Sequence, residues 1–177
     1  KAEPQFIYSR LPILDVHRVA YESSTNGSMA MELLYEGDTI LVVNNHLESY
    51  KLTPEDKQVY KDIIHDPENI RSERSSRDLV RKMADASRVR GPQIDSVLNY
   101  VRHSGREGVV VCGDFNDSPI SYSCRRCSSV LTSAFRQSGN GLGLSYNQKG
   151  FYFRIDHIFV SDYWQTYETH VDKTALW

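Results

Sequence analysis

The run from Val109 to Pro119, Val-Val-Val-Cys-Gly-Asp-Phe-Asn-Asp-Ser-Pro, constrains this chain more than any other stretch. Four apolar residues in a row predict a buried strand, and Gly113 breaks the run just before Asp114, Asn116 and Asp117. A strand that ends in a glycine followed by carboxylate and amide groups is a common way to bring reactive side chains to the rim of a sheet. Period-two alternation sends Val110, Cys112, Asp114 and Asn116 to one face, so the carboxylate and the amide would face one site. The same residues also fit a strand followed by an Asx-rich turn, and this stretch alone leaves both readings open.

A chain of 177 residues is long enough for one domain with a real core, and 40% apolar with 25% charged residues is ordinary for a soluble globular protein. No apolar run approaches the roughly 18 residues that span a bilayer. The opening Lys-Ala-Glu-Pro-Gln-Phe shows no signal-peptide core. A net charge of -2 and a pI near 6.3 give no global basic footprint for nucleic acid. Three cysteines cannot close a disulfide framework. Cys124 and Cys127 form a C-x-x-C with no second pair, and their i, i+3 spacing on a helix is explained by packing.

Residues 6–14 read as a short strand that Pro12 confines to an edge. Ser23 to Gly27 is a turn. Met29–Tyr35 and Thr39–Asn45, joined by Glu36-Gly37-Asp38, read as a hairpin. On the second strand Ile40, Val42, Asn44 and His46 share a face, so polar groups again close an apolar strand. Thr53-Pro54-Glu55-Asp56 starts a helix that Asp66-Pro67 ends, and residues 67–76 form a polar connector. Leu79 to Ala84 restart a helical period, Gly91-Pro92 predicts a kink or break, and Ile94, Val97, Leu98 and Val101 give amphipathic spacing up to Gly105. The nine Lys and Arg between Arg71 and Arg106 read as a solvated helix face rather than a phosphate patch.

Beyond the central run, Ser118–Ser121 caps a helix whose buried face is Cys127, Val130, Leu131 and Ala134, and Ser138–Gly143 is a loop. Phe151 to Val160 alternates as one long strand, with Asp156 and His157 on opposite faces. Asp156 is costly to bury unless paired, with Arg154 the nearest partner. Tyr167–Val171 reads as a last strand.

Three segments stand together in order: Val-Val-Asn-Asn-His-Leu-Glu-Ser at 42–49, Gly-Asp-Phe-Asn-Asp at 113–117, and Arg-Ile-Asp-His-Ile-Phe-Val-Ser at 154–161. They resemble the Asn-x-His-Leu, Gly-Asp-x-Asn and Arg-Ile-Asp-x-x-x-x-Ser motifs of the endonuclease/exonuclease/phosphatase superfamily, the DNase I-like fold. Ser-Arg-Leu-Pro-Ile at 9–13 is similar to the family's strand just past its midpoint. The resemblance implies an α+β fold, a four-layer α/β/β/α sandwich, of which this chain would be the C-terminal half. The family's early Asn and metal-binding Glu, and its closing Ser-Asp-His, have no counterpart in these residues.

The resemblance further implies hydrolysis of a phosphodiester or phosphomonoester by an activated water, with Mg2+ or Mn2+. Asp114 would orient or deprotonate the water, and Asn116 and His46 would donate to phosphate oxygens. Asp156 would hold a catalytic histidine that this chain lacks. Asn44, Asn45, Glu48 and Asp117 would support them, and Asp114 and Asn116 would touch the metal, whose principal ligand is absent. The substrate class stays open among nucleic acid, inositol phosphate and lipid head group. A half-sandwich is expected to be inactive alone, and to self-associate or require the missing half to cover its apolar sheet face. The alternative is a catalytically inactive pseudo-enzyme or interaction domain that keeps the fold.

Overall fold

A computed structural model describes residues 5–23, 26–65, 73–148 and 151–174. In chain order the elements are β1 (Ile13–Arg18), β2 (Gly27–Tyr35), β3 (Asp38–His46), α1 (Pro54–His65), α2 (Glu73–His103), β4 (Val109–Asp114), α3 (Tyr122–Ser128), β5 (Thr132–Ser133), α4 (Ala134–Ser138), β6 (Tyr146–Gln148), β7 (Phe151–Phe153) and β8 (Asp156–Val160). Six strands form one sheet in the order β1-β2-β3-β4-β8-β5, and β6 and β7 form a separate hairpin.

The expected hairpin is β2–β3, turned by Glu36 and Gly37, both at positive φ, which matches the right-handed twist of the strands they join. Within the large sheet only β3 and β4 pair in parallel. A parallel pair needs a crossover, and α1 and α2 supply it.

Alternation divides the sheet into two faces. Leu41, Val43, Leu47, Val109, Val111, Phe115 and Phe159 pack with Ile94, Val97, Leu98 and Val101 of α2 and with Cys124 and Cys127 of α3. On the other face Met31, Leu33 and Ile40 form a smaller cluster under Ile7, Leu11 and Trp164. Val16 and Ile158 on that second face are 49% and 46% exposed. Among the described residues helices cover one face of one sheet. The mixed α+β class is as expected, and the second sheet of a four-layer sandwich is not among these elements.

Several local expectations are corrected. The first strand starts at Ile13, and of residues 6–12, which form no strand, Ile7 and Leu11 pack against the second cluster. Helix α2 runs unbroken through Gly91-Pro92 for 31 residues. Leu79, Ala86, Arg90, Ile94, Val97 and Leu98 are all buried on one stripe, and that burial offsets the ~3 kcal/mol cost of an interior proline. Residues 73–76 belong to this helix, while the rest of the expected connector, 67–72, like Ser24 and Thr25 of the first turn, lies outside the described residues.

The helix expected after Ser121 is two short ones, α3 and α4, separated by β5, and Val130 is exposed. Ser121 does cap α3, accepting from Cys124 N. The long strand at 151–160 is two strands in different sheets. Ser145 Oγ accepts from both Ile155 N and Asp156 N at 3.1 Å, which takes the chain out of the β6–β7 ladder before β8 begins. Residues 161–174 form no strand, so the expected Tyr167–Val171 strand is absent.

Several basic residues of α2 are paired at its surface, as with Arg81–Asp78, Lys82–Asp56 and Arg88–Asp85. Arg90 differs: it is 0% exposed and its Nε lies 3.0 Å from Asp117 Oδ2, itself 3% exposed. Its Nη1 donates to Glu48 O at 2.7 Å and its Nη2 to Ser87 Oγ at 3.1 Å. Removing one partner of such a pair strands the other charge in the core. Arg90→Met is expected to cost about 3–5 kcal/mol in urea denaturation, and Arg90→Met with Asp117→Asn distinctly less.

Candidate functional site

The register of three adjacent strands brings the sequence-predicted residues into a row. His46 pairs with Asp114 across β3–β4, and Asp114 pairs with Asp156 across β4–β8. Paired residues project to the same face, so His46, Asp114 and Asp156 lie side by side where the parallel strands end. They occupy the face that the helices leave open, with Asn44 on the same side of β3. His46 and Asp114 are half-buried and Asp156 is exposed.

Burial pushes the Asp114 carboxyl above the ordinary range, and the neighbouring Asp156 pushes it the same way. The hydrogen bond from Asn116 N to Asp114 Oδ1, 2.7 Å, and the nearby His46 act in the opposite sense. Asp156 is not paired with Arg154, the partner nearest in sequence: the Arg154 guanidinium lies 4.2 Å from the Phe135 ring centre, elsewhere in the fold.

Asn116 reaches the row from a turn rather than from the strand. Its φ of 49° ends the alternation, which fits the tolerance of asparagine for left-handed backbone. Its Nδ2 donates to Leu47 O at 2.9 Å, which ties the turn to the end of β3. Gly113 precedes it at φ 121°, where a Cβ would fall 2.1 Å from Asn45 O and 2.8 Å from Asn44 Oδ1. Only glycine lets β3 and β4 approach this closely at the point where both deliver their polar ends.

Asp117, Glu48 and Asn45 face inward and hold the loops. Asp117 accepts from Arg90 Nε, Tyr50 Oη, Ser123 Oγ and its neighbour Ser118 N. Burial raises the Tyr50 phenol to about 12, so it stays a donor to this carboxylate. Glu48 pairs with Lys51 at 2.6 Å, and its backbone N–H donates to Gln93 Oε1. Asn45 bridges Ser28 and Cys112 O. His157 is buried against Asp117 O at 2.9 Å, which fixes the proton on Nε2, and burial lowers its pKa. It points away from Asp156, as alternation required. Ser161, the last residue of the third motif, accepts from Val109 N and donates to Glu107 O, so it secures the start of β4.

Sequence reasoning missed Arg90, Tyr50, Gln93 and Ser123. The signal was present for two of them: Arg90 and Gln93 continue the stripe of Leu79, Ala86, Val97 and Val101, so a charge and an amide occupy positions of apolar period. It also missed a cleft of about 370 Å³ beside Asn116, walled by Tyr50, Tyr60, Tyr146 and Phe153 with Lys51 and Lys57. The C-x-x-C cysteines are packed in the core with both thiols pushed up by burial, Cys124 to about 12.

Asp114, Asp156, Asn44 and Asn116 offer the oxygen donors that magnesium prefers. Among the described residues, however, no three His, Cys, Asp or Glu side chains converge to hold a metal ion. These residues by themselves therefore fall short of a metal site.

The sequence profile of the Endonuclease/Exonuclease/phosphatase family matches residues 6–176, and the chain belongs to that family. No curated protein sequence matches it. Among solved structures it is similar to a humanized D. rerio TDP2, with TM-score 0.54 and 15% identity over 89% of this chain and 55% of that one. D. rerio TDP2 complexed with a single-strand DNA product matches at TM-score 0.54 and 14% identity, over 88% and 56%. The human Nocturnin catalytic domain with bound sulfate matches at TM-score 0.51 and 15% identity, over 86% and 49%. The fold is thus that of phosphoesterases and nucleases, and the chain spans about half the length of these structures. None of the described helices is long and apolar enough to cross a membrane.

Because the Asp114 pKa is raised, the folded state holds this proton more tightly than the unfolded chain. Its contribution to stability is present in acid and is lost as pH rises from the unfolded carboxylate value through the folded one. Asp114→Asn is therefore expected to raise Tm at pH 7 without divalent cations, and the gain should vanish in acid, where both proteins are neutral at this position. An equal gain at all pH values would contradict the assigned cause.

Proposed function

We propose that the complete protein hydrolyses a phosphoric ester by attack of an activated water, with the reaction at the row of His46, Asp114 and Asp156. The observation that carries this reading is the raised carboxyl of Asp114 between a histidine and a second carboxylate at the open end of a parallel strand pair. A carboxylate of raised pKa is a better base, so Asp114 orients the water and takes its proton. Asn116, anchored through Leu47 O, keeps a second amide N–H for a phosphate oxygen and holds Asp114 through its backbone. His46 donates to another non-bridging oxygen. Asp156 orients a histidine supplied outside these residues. Asn44, Glu48 and Asp117 position the strand ends.

Further ligands from outside these residues would be needed to hold a divalent metal such as magnesium, which would then offset charge on the phosphoryl oxygens. The aromatic cleft beside Asn116 suits a ring on the ester group, and the single-strand DNA product held by a TDP2 structure makes a nucleic-acid substrate the first to test. Asp114→Ala is expected to lower magnesium-dependent cleavage of single-stranded DNA by about 10²–10⁴-fold; unchanged turnover would overturn the assignment. The second reading, an inactive domain that keeps the fold, draws on the shortage of converging metal donors. It predicts no turnover of any phosphoester by the complete protein.

The exposed Val16 and Ile158 on the open face support the accompanying reading that this chain self-associates there. Light scattering is expected to give a mass well above the 20.3 kDa of one chain, and a clean monomer would reject association.

A further inference from the structure

All 23 acidic residues of this chain lie outside the 38-residue stretch from Ser118 to Ile155, which carries Arg125, Arg126, Arg136, Lys149 and Arg154. Arg126 is answered from outside the stretch by Asp95 at 2.8 Å. Arg125, Arg136 and Arg154 have no carboxylate within ion-pair distance among the described residues. The fold gathers these three arginines around a cleft of about 610 Å³, with Ser128 and Ser129 on its rim and His157 at its base.

Arg154 is the unusual member. Its Nε is buried without a hydrogen-bond partner, and its guanidinium stacks 4.2 Å from the Phe135 ring centre. Burial pulls its pKa down, yet no side chain nearby neutralises it. Stacking on an aromatic face holds the planar fork in one orientation and leaves its in-plane donors for another group. Phe135 is itself clamped: a Cβ at Gly139 or Gly143 would fall 2.7 Å or closer to its ring, so both loop glycines fit against it. The platform under Arg154 is thus rigid, whereas Arg125 and Arg136 are exposed and free to close on a ligand. A partly desolvated cation without a counter-charge in an acid-free cleft is the arrangement that an oxyanion completes.

We propose that this cleft is a second, non-catalytic site that binds a phosphate group, with Arg154 on its Phe135 platform as the fixed donor and Arg125 and Arg136 as the closing pair. It is separate from the row described above. Asp156 and His157 are neighbours on β8 that project to opposite faces, so the sheet lies between the two sites. The phosphate comes either from a nucleic-acid strand or from a free phosphorylated molecule, since the donors are the same for both.

The test is binding, without divalent cation, so it does not depend on turnover. Inorganic phosphate is titrated calorimetrically, and labelled (dT)12 by anisotropy across a salt series, into the wild type, Arg125→Gln/Arg136→Gln, Arg154→Gln and Asp114→Ala. Phosphate is expected to bind the wild type and Asp114→Ala alike, and the two arginine variants at least about tenfold more weakly. The exposed double variant serves if Arg154→Gln fails to fold. A fall of about 1.4 in the (dT)12 salt slope in the double variant identifies a nucleic-acid strand as the source. An unchanged slope together with weakened phosphate binding identifies a free phosphate. Absence of phosphate binding by the wild type, or binding equal in the wild type and the double variant, overturns the proposal.

Discussion

Asp117 lies three residues past the end of β4 with its carboxylate buried, and the segments around the candidate site are arranged by the groups that answer it. Arg90 meets it from α2, Tyr50 from the segment after β3, and Ser123 from α3. These three donors come from different parts of the chain, so one buried charge ties α2, α3 and the segment after β3 to the turn beyond β4. A buried ion pair is an uncertain source of net stability, because desolvation consumes much of the attraction. Its value here is geometric. Arg90 belongs to the crossover that joins β3 to β4, and it bonds both the segment leaving β3, through Glu48 O, and the turn leaving β4, through Asp117.

That geometry permits the less favourable feature on the opposite face. Asp114 and Asp156 are paired residues on neighbouring strands, an arrangement that repels when both are charged. The pair persists because the ladder around it is specified elsewhere. Leu47 N bonds Asp114 O, Phe115 N bonds Ile155 O, and Phe115 is fully buried in the core. The side chains of the row are held by backbone and core, not by attraction for one another. Burial does most to keep the Asp114 carboxyl more basic than water would, and local repulsion maintained by a rigid frame adds to it.

Much of this was legible in the sequence. The β2–β3 hairpin, the start of α1 at Thr53-Pro54, the strand from Val109 and the sharing of one face by Asn44 and His46 follow from period and turn chemistry. So does the opposition of Asp156 and His157. What failed did so where contacts distant in the chain overrode a local signal. Pro92 should interrupt α2, but the stripe of buried side chains on either side of it holds the helix together. Phe151–Val160 alternates without interruption, yet a single serine hydroxyl, Ser145 Oγ, divides it between two sheets. No pattern in the strand itself carries that information. Arg90 is one of nine basic residues by count, and only its position on the buried helix stripe sets it apart from the solvated ones.

The row shows where motif reasoning reaches its limit. Gly-Asp-Phe-Asn-Asp distributes its polar residues over both faces of the sheet: Asp114 to the open side, Asn116 to the turn, Asp117 to the core. Only Gly113, at a φ that a side chain would not tolerate, lets β4 lie close enough to Asn44 and Asn45 for that division to occur. Asp114 and Asp117 are chemically identical and three residues apart. One is held by four donors and fully committed to structure, and the other keeps one backbone hydrogen bond and a carboxylate neighbour. Their difference in chemical capacity comes from the direction of the chain at Asn116, and no property of the residue type alone would assign it.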